Sequence, residues 1–380
     1  MAKITVIGWY GTETIGDRAI LSGIFHAISE LKIDFEIALG ALFEPLSQRT
    51  IIEDRDFFTC ITANRLKKIS VFHSLNQVQL KQQILSSDLL IVGGGPLMDI
   101  ESMYLLEYAF GYAKSNNVPA MLAGCGWGPL KNPSIIKSAL QLIKYSSSVV
   151  FRDQISQEEY LAACNTFNIK PKDTYSSIDP AFFASSYYSS LQTSRNEDII
   201  SVNFRDLKVD NVYSSNDNKI EEYYINLLSA LIHFEKPILL IPMHTFHIGG
   251  DDRILLSRLC KKINLPQVIV QQNPLSLEET MSVYYNSFIS VGMRFHAVVL
   301  QTVLNGKNYI LDYTHPEKGK TIGMLKELQL LNSYKDRYFS LHKRESFIVK
   351  GDCARIKLVN KDIDEYKCIY INEFRKFLSR

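Results

Sequence analysis

The second half of the chain places arginine and histidine directly after its predicted strands. Arg205 follows one apolar run, and Arg294 and His296 follow another and are separated by one residue. In an extended segment, residues i and i+2 point to the same side, so we expect a guanidinium beside an imidazole. This pair suits an anionic substrate that also needs a proton transferred. The pattern therefore indicates an anion-binding site with acid/base chemistry.

Two further histidines, His244 and His247, follow a third predicted strand and run into Gly249-Gly250-Asp251-Asp252. Two imidazoles could begin a metal site, but the sequence offers no clear third ligand, so we expect no metal. The Asp-x-Asp tripeptides at 54–56 and 362–364 follow no convincing strand and are interpreted as solvated charge. His244 and His247 are kept as candidate acceptor-binding or secondary residues.

Glycine-rich segments follow three predicted strands in the first half of the chain. They are Gly8–Asp17, Gly93–Asp99 and Gly124–Pro129. Each alone is typical of a tight strand-to-helix turn, but three at one edge of one sheet favour a ligand site, because glycine lets backbone N–H groups approach an anion. None has the lysine of a Walker A loop or the spacing of a dinucleotide fingerprint, so neither an ATPase nor an NAD enzyme is indicated.

The elements that must position these residues alternate between short apolar runs and amphipathic segments. The predicted strands are Ile4–Gly8, Phe35–Leu39, Leu89–Val92, Ala120–Gly124 and Ser148–Phe151, followed by Ile199–Phe204, Pro237–Met243, Val268–Gln271, Phe288–Val291 and Tyr309–Leu311. The predicted helices include Asp17–Leu31, Lys219–Phe234, Arg253–Lys262 and Asp362–Leu378. This alternation predicts parallel sheets covered by helices on both faces.

A serine-rich, aperiodic segment at 184–194 predicts a linker between two such halves. We therefore predict an α/β protein with two Rossmann-like domains facing a cleft, residues 1–190 and 197–350. The C-terminal helix, 361–380, is expected to join the first domain. The segments Glu44–Ser74 and Asp206–Asn218 are interpreted as loops that set specificity.

Composition excludes several classes of protein. The chain has 380 residues, 46% of them hydrophobic, which is the composition of a folded protein of two to three domains. Its 42 basic and 40 acidic residues leave a net charge of +2, so no nucleic-acid partner is expected. Six scattered cysteines without a CxxC pair predict buried, reduced thiols. The first apolar run is too short for a signal peptide, and no run approaches the roughly 18 apolar residues that span a bilayer, so a cytoplasmic protein is expected.

Taken in order, these motifs resemble the polysaccharide pyruvyl transferase family. The matching pieces are Gly11 and Gly16-Asp17 with Ala19-Ile20-Leu21, Gly93–Leu97 with Asp99, Gly124–Pro129, Phe151-Arg152-Asp153 with Ser156, Asp251-Asp252, Arg294-Phe295-His296, and Tyr313 with Lys318 before Gly323-Met324-Leu325. The likeness extends from about the first strand to Leu331. One departure is Thr14, where the family often has asparagine.

The resemblance implies a GT-B-like architecture and an enzyme that moves the pyruvyl group of phosphoenolpyruvate onto a sugar. The product would be a pyruvate ketal in a bacterial exopolysaccharide, capsule or cell-wall polymer. No metal or organic cofactor is implied. The implied acceptor is a sugar, with a lipid-linked oligosaccharide as one candidate, which would bring the enzyme to the inner face of the membrane as a peripheral protein.

The resemblance implies roles for Arg294, His296, Arg152 and Asp99, and the chemistry of pyruvyl transfer suggests the other candidates. His296 would be the general acid/base and Asp99 would position or deprotonate an acceptor hydroxyl. Donor binding would fall to arginine, lysine and glycine residues: Arg152, Arg205, Arg294, Lys318, Gly94 and Gly95. Asp17, with His244 and His247, would be secondary.

Two alternatives stay open at the level of sequence. A metal-independent glycosyltransferase with a nucleotide-sugar donor would suit two Rossmann-like domains and glycine loops equally well. A non-catalytic binding protein on the same scaffold is the other, although Arg294, His296, Arg152 and Asp99 occurring together speak against it. The leaving group, phosphate or nucleotide, distinguishes the two enzymes.

Overall fold

A computed structural model describes residues 1–207, 218–315, 317–343, 347–351, 353–358 and 360–379. The side chains of residues 218, 219, 360 and 361 lie outside this description. The chain divides into two compact units. The first comprises Met1–Thr12, Asp17–Ala184 and Val359–Arg380, and the second comprises Glu13–Gly16 and Ser185–Leu358.

The first unit is built on a parallel sheet of short, apolar strands. Its strands are β1 (Ala2–Ile7), β2 (Phe35–Ala41), β3 (Leu66–His73), β4 (Leu89–Gly93), β5 (Pro96–Leu97), β6 (Ala120–Trp127), β7 (Ser148–Phe151) and β8 (Tyr175–Ser176). Its helices are α1 (Ile15–Ser29), α2 (Glu44–Glu53), α3 (Arg55–Ile61), α4 (Gln77–Leu85), α5 (Ser102–Ser115), α6 (Pro133–Tyr145), α7 (Gln154–Thr166) and the C-terminal helix (Asn360–Leu378).

The strand order in this sheet is β3-β2-β1-β4-β6-β7-β8, and β5 pairs with β6. The inner strands β4, β6 and β7 are buried along their whole length, since helices cover both faces. The chain order reverses direction between β1 and β4, which is the point where open α/β sheets bind ligands beyond their strand ends. The loops after these two strands are Gly8–Thr12 and Gly94–Gly95.

The second unit repeats this plan with its own sheet. Its strands are β9 (Ile199–Val202), β10 (Ile238–Leu240), β11 (Val268–Val270), β12 (Ser287–Gly292), β13 (Asn308–Asp312) and β14 (Tyr338–Ser340). Helix α8 (Ala181–Leu191) leads into it, and α9 (Asn218–Ile232), α10 (Asp252–Ile263), α11 (Leu277–Tyr285), α12 (Phe295–Leu304) and α13 (Lys320–Glu327) follow, so the C-terminal helix is α14. The strand order is β11-β10-β9-β12-β13-β14, all parallel, which is the Rossmann order, and its reversal lies between β9 and β12.

The serine-rich segment predicted as a linker is instead helix α8, so that prediction is wrong. Serine competes with the backbone for hydrogen bonds and is a poor indicator of helix on its own. Here Phe182 and Phe183 are buried, and the serine that follows them, Ser185, is also fully buried. Packing therefore decides the local structure, and the units divide at Ala184 rather than at residue 190.

The structure differs from the prediction for the first predicted loop and for several cysteines. Residues 44–74 form α2, α3 and β3 rather than a loop. Of the predicted loop 206–218, residues 208–217 lie outside the described residues. Cys125 and Cys164 are buried, but Cys260 and Cys353 are only partly buried and Cys60 and Cys368 are exposed, so the expectation of buried thiols holds for two of the six.

Helix α14 packs on the first unit through a buried polar and aromatic face. Tyr370 is fully buried, donates to the Ile178 carbonyl at 2.7 Å and contacts the Phe183 ring edge to face. Ser148 donates to the buried Glu373 carboxylate at 2.8 Å. None of the described helices, α14 included, is both long and apolar enough to cross a membrane.

A buried imidazole also connects α14 to α1. The Ile61 carbonyl can only accept, so His26 donates to it from Nδ1 (3.1 Å), and Nε2 therefore accepts from the Lys367 ammonium (3.2 Å). Burial, and then the Lys367 charge, lower the pKa of His26 from 6.5 to about 4, against smaller opposing effects of Ile61, Glu30 and Asp364. His26 is thus neutral in the folded protein.

We expect this imidazole to make the first unit sensitive to acid. The unfolded chain binds a proton at His26 more tightly than the folded chain does. The contribution of neutral His26 to the free energy of unfolding is therefore complete above pH 6.5 and is lost as the pH falls toward 4, by about 3 kcal/mol in all. Urea unfolding of the wild type and of His26→Gln, measured between pH 7.5 and 4.5, checks this. The stability advantage of the wild type should shrink with falling pH, and parallel curves would contradict the assignment.

Candidate functional site

Arg205 and Arg294 lie at the reversal point of the second sheet, one after β9 and one after β12. The buried Asn203 side chain holds these strand ends together. Its Oδ1 accepts from the Arg294 backbone N–H at 3.0 Å, and its Nδ2 donates to the Ile241 carbonyl at 2.9 Å. The strand topology therefore brings both arginines to the edge where this fold binds ligands.

Arg294 is bound to a buried carboxylate. Its guanidinium donates from Nε (2.8 and 3.0 Å) and Nη2 (2.6 Å) to Asp252, which is 1% exposed. Asp252 also accepts the backbone N–H groups of Met243 and His244 at 3.0 and 3.2 Å. This one carboxylate therefore connects the segment after β10 to the start of α12 and fixes the direction of the Arg294 side chain.

Arg205 and a lysine that sequence reasoning did not select meet at a buried tyrosine. Arg205 Nη1 donates to the Tyr313 hydroxyl at 2.5 Å, and Lys320 also makes a hydrogen bond to it. The Lys320 ammonium lies 5.7 Å from the Phe295 ring centroid and 5.6 Å from that of Tyr313. The predicted donor lysine, Lys318, is an exposed residue just before α13. We call Arg205, Arg294, Tyr313 and Lys320, with Asp252, the cationic cluster.

The cluster carries a net positive charge that acts on Tyr313. Burial alone would raise the pKa of Tyr313, but the charges of Lys320, Arg205 and Arg294 together outweigh it and lower this pKa below its ordinary value. Helix N-termini add to this field, because α12 and α13 both begin at the cluster, and no described side chain caps either first turn. The arrangement is suited to binding an anion.

His296 lies in the first turn of α12, two residues after the capping residue Arg294. The prediction that these two side chains share one side of an extended segment is therefore wrong, because a helix begins between them. The imidazole instead lies against Gly16, where a Cβ atom would stand 2.1 Å from His296 Nδ1. Only glycine at this position leaves room for the ring.

The segment Glu13–Gly16 belongs to the second unit although it follows β1. The Ile15 N–H donates to the Met243 carbonyl at 3.1 Å, and Thr14 forms an antiparallel bridge with His244. This short bridge holds Gly16 in place beside His296.

His244 is buried and engaged through both ring nitrogens. Its Nε2 lies 2.5 Å from the Ile248 carbonyl, which can only accept, so Nδ1 accepts from the Thr14 hydroxyl at 2.6 Å. Burial and then the Arg294 charge lower the pKa of His244, so the neutral form is favoured. Thr14, where the family often has asparagine, thus has a defined partner. His247 is exposed and contacts Phe246.

The predicted residues of the first unit form a separate group. Arg152 follows β7, is 4% exposed, and lies 3.7 Å from an Asp153 carboxylate oxygen and 3.8 Å from one of Asp179. Asp153 caps α7 by accepting the Ser156 N–H at 2.7 Å, which accounts for the Arg-Asp-x-x-Ser spacing. Gly126 packs against the guanidinium, since a Cβ there would stand 2.5 Å from Arg152 Nη2.

The glycine triplet and Asp99 shape the loops beside this group. Gly94 and Gly95 adopt positive φ angles of 65° and 71°, so the chain can turn after β4 and pair again with β6. Asp99 is partly exposed and accepts the backbone N–H groups of Lys131 and Asn132 at 3.0 and 3.1 Å. Asp17 lies in the first turn of α1.

The sequence also makes predictions about the thiol of Cys125 and the arrangement of possible metal ligands. Burial raises the pKa of Cys125 to about 12, so this thiol is not a nucleophile at neutral pH. Within the described residues, no group of three histidine, cysteine, aspartate or glutamate side chains is arranged to hold a metal ion.

Comparison with solved structures shows the fold. A putative UDP-N-acetylglucosamine 2-epimerase from Listeria monocytogenes is 12% identical with a TM-score of 0.59, and the match covers 100% of this chain and 98% of that one. S. aureus MnaA in a co-structure with UDP is 12% identical over the same shares, with a TM-score of 0.56. The Methanocaldococcus jannaschii UDP-GlcNAc 2-epimerase, in complex with UDP-GlcNAc and UDP, is 12% identical at a TM-score of 0.52, covering 98% of this chain and 99% of that one. The predicted α/β fold with two Rossmann-like domains of the GT-B type is confirmed.

Comparison with curated proteins gives no match. The model of the family described as polysaccharide pyruvyl transferase matches residues 15–315, which is well over half of the chain and includes His296 and every residue of the cationic cluster except Lys320. The resemblance inferred from the motifs is thereby confirmed, and the chain belongs to the polysaccharide pyruvyl transferase family.

Proposed function

We propose that this enzyme transfers the pyruvyl group of phosphoenolpyruvate to two hydroxyl groups of a sugar and so forms a pyruvate ketal. The observation that carries the proposal is the cationic cluster at the reversal point of the second sheet. Three cations act on Tyr313 there, namely Arg205, Arg294 and Lys320, and of these Arg294 is paired with the buried Asp252 carboxylate. The excess of positive charge suits a donor that bears both a phosphate and a carboxylate.

The geometry of each cation in the cluster supports a role in donor binding. Planar guanidinium groups bind phosphate and carboxylate in a bidentate manner, and both arginines are held in place by their protein partners before any donor binds. The Lys320 ammonium adds a compact charge at the start of α13, where the helix dipole also attracts an anion. We assign donor binding to these three side chains, with Lys320 in place of Lys318.

The reaction also needs protons to move. Protonation of the methylene carbon makes C2 of the donor electrophilic, after which one sugar hydroxyl attacks C2, phosphate leaves, and a second hydroxyl closes the ketal. His296 lies two residues after Arg294, in the first turn of α12, and is our candidate for the acid that protonates the methylene carbon and the base that then accepts the proton of the first hydroxyl. In this proposal the protein's own cations compensate the donor charge, and no metal ion or organic cofactor takes part.

The setting that we propose is the assembly of a bacterial surface polysaccharide: an exopolysaccharide, a capsule or a cell-wall polymer. Family membership makes a polysaccharide sugar the acceptor. We further propose that this sugar is carried by a lipid-linked oligosaccharide and that the reaction takes place in the cytoplasm at the inner face of the membrane.

The test is phosphate release from phosphoenolpyruvate by the purified full chain, with galactose-, glucose- and mannosamine-containing acceptors. Acceptor-dependent phosphate, together with the mass gain of a pyruvate ketal, is the expected result. Nucleotide release from an activated sugar, with no phosphate from phosphoenolpyruvate, would overturn the proposal in favour of glycosyl transfer.

A further inference from the structure

Tyr313 is held at the centre of the cationic cluster by the structure around it. It directly follows β13, whose last residue, Asp312, is buried and accepts from the Thr314 N–H at 2.8 Å and the Tyr338 hydroxyl at 2.8 Å. The Tyr313 side chain is itself only 6% exposed. Its hydroxyl is therefore presented to the cluster by a turn that has little freedom to move.

The hydrogen bonds at this hydroxyl determine what its proton can do. Arginine and lysine side chains carry only donors, so the Tyr313 oxygen must accept the bonds from both Arg205 and Lys320. A phenol that accepts two such bonds keeps its own proton as a donor toward a third group. The groups bound by these same cations under the proposed function are the anionic groups of the donor.

We propose that Tyr313 is a second proton-transfer residue of this enzyme and acts as the general acid for the departing phosphate. This inference rests on the proposed function. Ketal formation releases two hydroxyl protons: one balances the proton that enters the methylene carbon, and the other must reach phosphate. Tyr313 gives its proton to the bridging oxygen while the C2–O bond breaks, and the phenolate regains a proton from the second sugar hydroxyl as that hydroxyl bonds to C2. Atoms and charge therefore balance without any other reactant.

The surroundings favour this role electrostatically. Although burial opposes ionisation, the positive charges of Lys320, Arg205 and Arg294 lower the pKa of Tyr313, so the phenol is a stronger acid than an ordinary tyrosine. Other ionisable groups lie close by: Asp252 is paired with Arg294, Asp312 precedes Tyr313 in the chain, His244 is in the field of Arg294 and Arg205, and the His342 ring contacts the Tyr313 carbonyl oxygen at 3.1 Å. The three cations outweigh them.

The first experiment compares Tyr313→Phe with the wild type in phosphoenolpyruvate-dependent ketal formation. We expect kcat to fall by about 10²-fold or more and the basic limb of the pH profile to change, because the ionisation of Tyr313 no longer contributes to that limb. A matched control is Tyr309→Phe in the preceding strand β13, whose hydroxyl donates to the Lys350 carbonyl; its pH profile should keep the basic limb of the wild type. A Tyr313→Phe enzyme with normal kcat and only a raised KM for phosphoenolpyruvate would overturn the proton-transfer role.

A second measurement changes the acid strength of the phenol at position 313 while the shape of the side chain stays nearly the same. Fluorotyrosines placed at position 313 keep the ring and its contacts but lower the phenol pKa, so the basic limb should move to lower pH in step with the pKa of the analogue. A limb that stays in place would overturn the inference even if Tyr313→Phe fails to fold. An inactive wild type with every acceptor would instead overturn the proposed function, and this inference with it, so the two failures are distinguishable.

Discussion

Replacement of His296 by alanine is expected to lower kcat for pyruvyl transfer by a factor of about 10²–10⁴, the usual range for loss of an acid/base group. The imidazole belongs to the first turn of α12 and is not part of the cationic cluster, so its loss should remove proton transfer while the cluster stays intact. Ketal formation at saturating donor and acceptor measures this. His233→Ala, at an exposed position after α9, is the matched control and should leave turnover unchanged. Near-normal turnover of His296→Ala would contradict the assignment of His296 as the acid/base residue.

Gly16→Ala offers an independent arm of the same test, because it displaces the imidazole without removing it. The new methyl group would stand 2.1 Å from His296 Nδ1 and 2.5 Å from Cγ, so the ring must move. Turnover should fall in the same direction as in His296→Ala. In the double variant the ring is absent, so Gly16→Ala should add little further loss. Full additivity of the two changes would show that Gly16 acts on something other than His296.

Strands that are buried along their length could be predicted from the sequence, whereas a partly exposed strand was missed. The inner strand β4 is apolar and buried along its whole length, and the inner strand β12 carries the apolar residues Phe288, Ile289 and Val291 and is buried at every position except Phe288. Strand β3 pairs only with β2 at the edge of its sheet, and most of its residues are partly or fully exposed, with Lys67 and Lys68 among them. This edge strand lacks the apolar run that identified the others.

The candidate site shows a similar division. Arg205 and Arg294 could be predicted because strand ends are visible in the sequence and the topology of parallel sheets collects them at one edge. The choice between Lys318 and Lys320 depends on where α13 begins, and no pattern of apolar residues sets that start. A close approach sets it instead: a Cβ atom at Gly319 would stand 2.0 Å from Thr314 Oγ1.

Arg294→Met is expected to have two separable effects, one on stability and one on donor binding. The substitution leaves the Asp252 carboxylate buried with only backbone donors, and breaking a buried ion pair from one side costs about 3–5 kcal/mol in the free energy of unfolding. Loss of a hydrogen bond to a charged group should also raise the KM for phosphoenolpyruvate by about 10- to 100-fold. Denaturant unfolding and steady-state kinetics on the same preparation measure both.

Asp252→Asn separates the two effects, because it removes the buried charge that Arg294 compensates but keeps the guanidinium. In this background Arg294→Met should cost far less stability, since no uncompensated carboxylate remains. The rise in KM for phosphoenolpyruvate should persist, because it comes from the lost contact between Arg294 and the donor and not from the ion pair with Asp252. If instead the KM effect disappears together with the stability effect, Arg294 is a structural partner of Asp252 alone, and donor binding falls to Arg205 and Lys320. The cycle therefore decides whether the buried ion pair holds a binding group in place or is the whole role of this arginine.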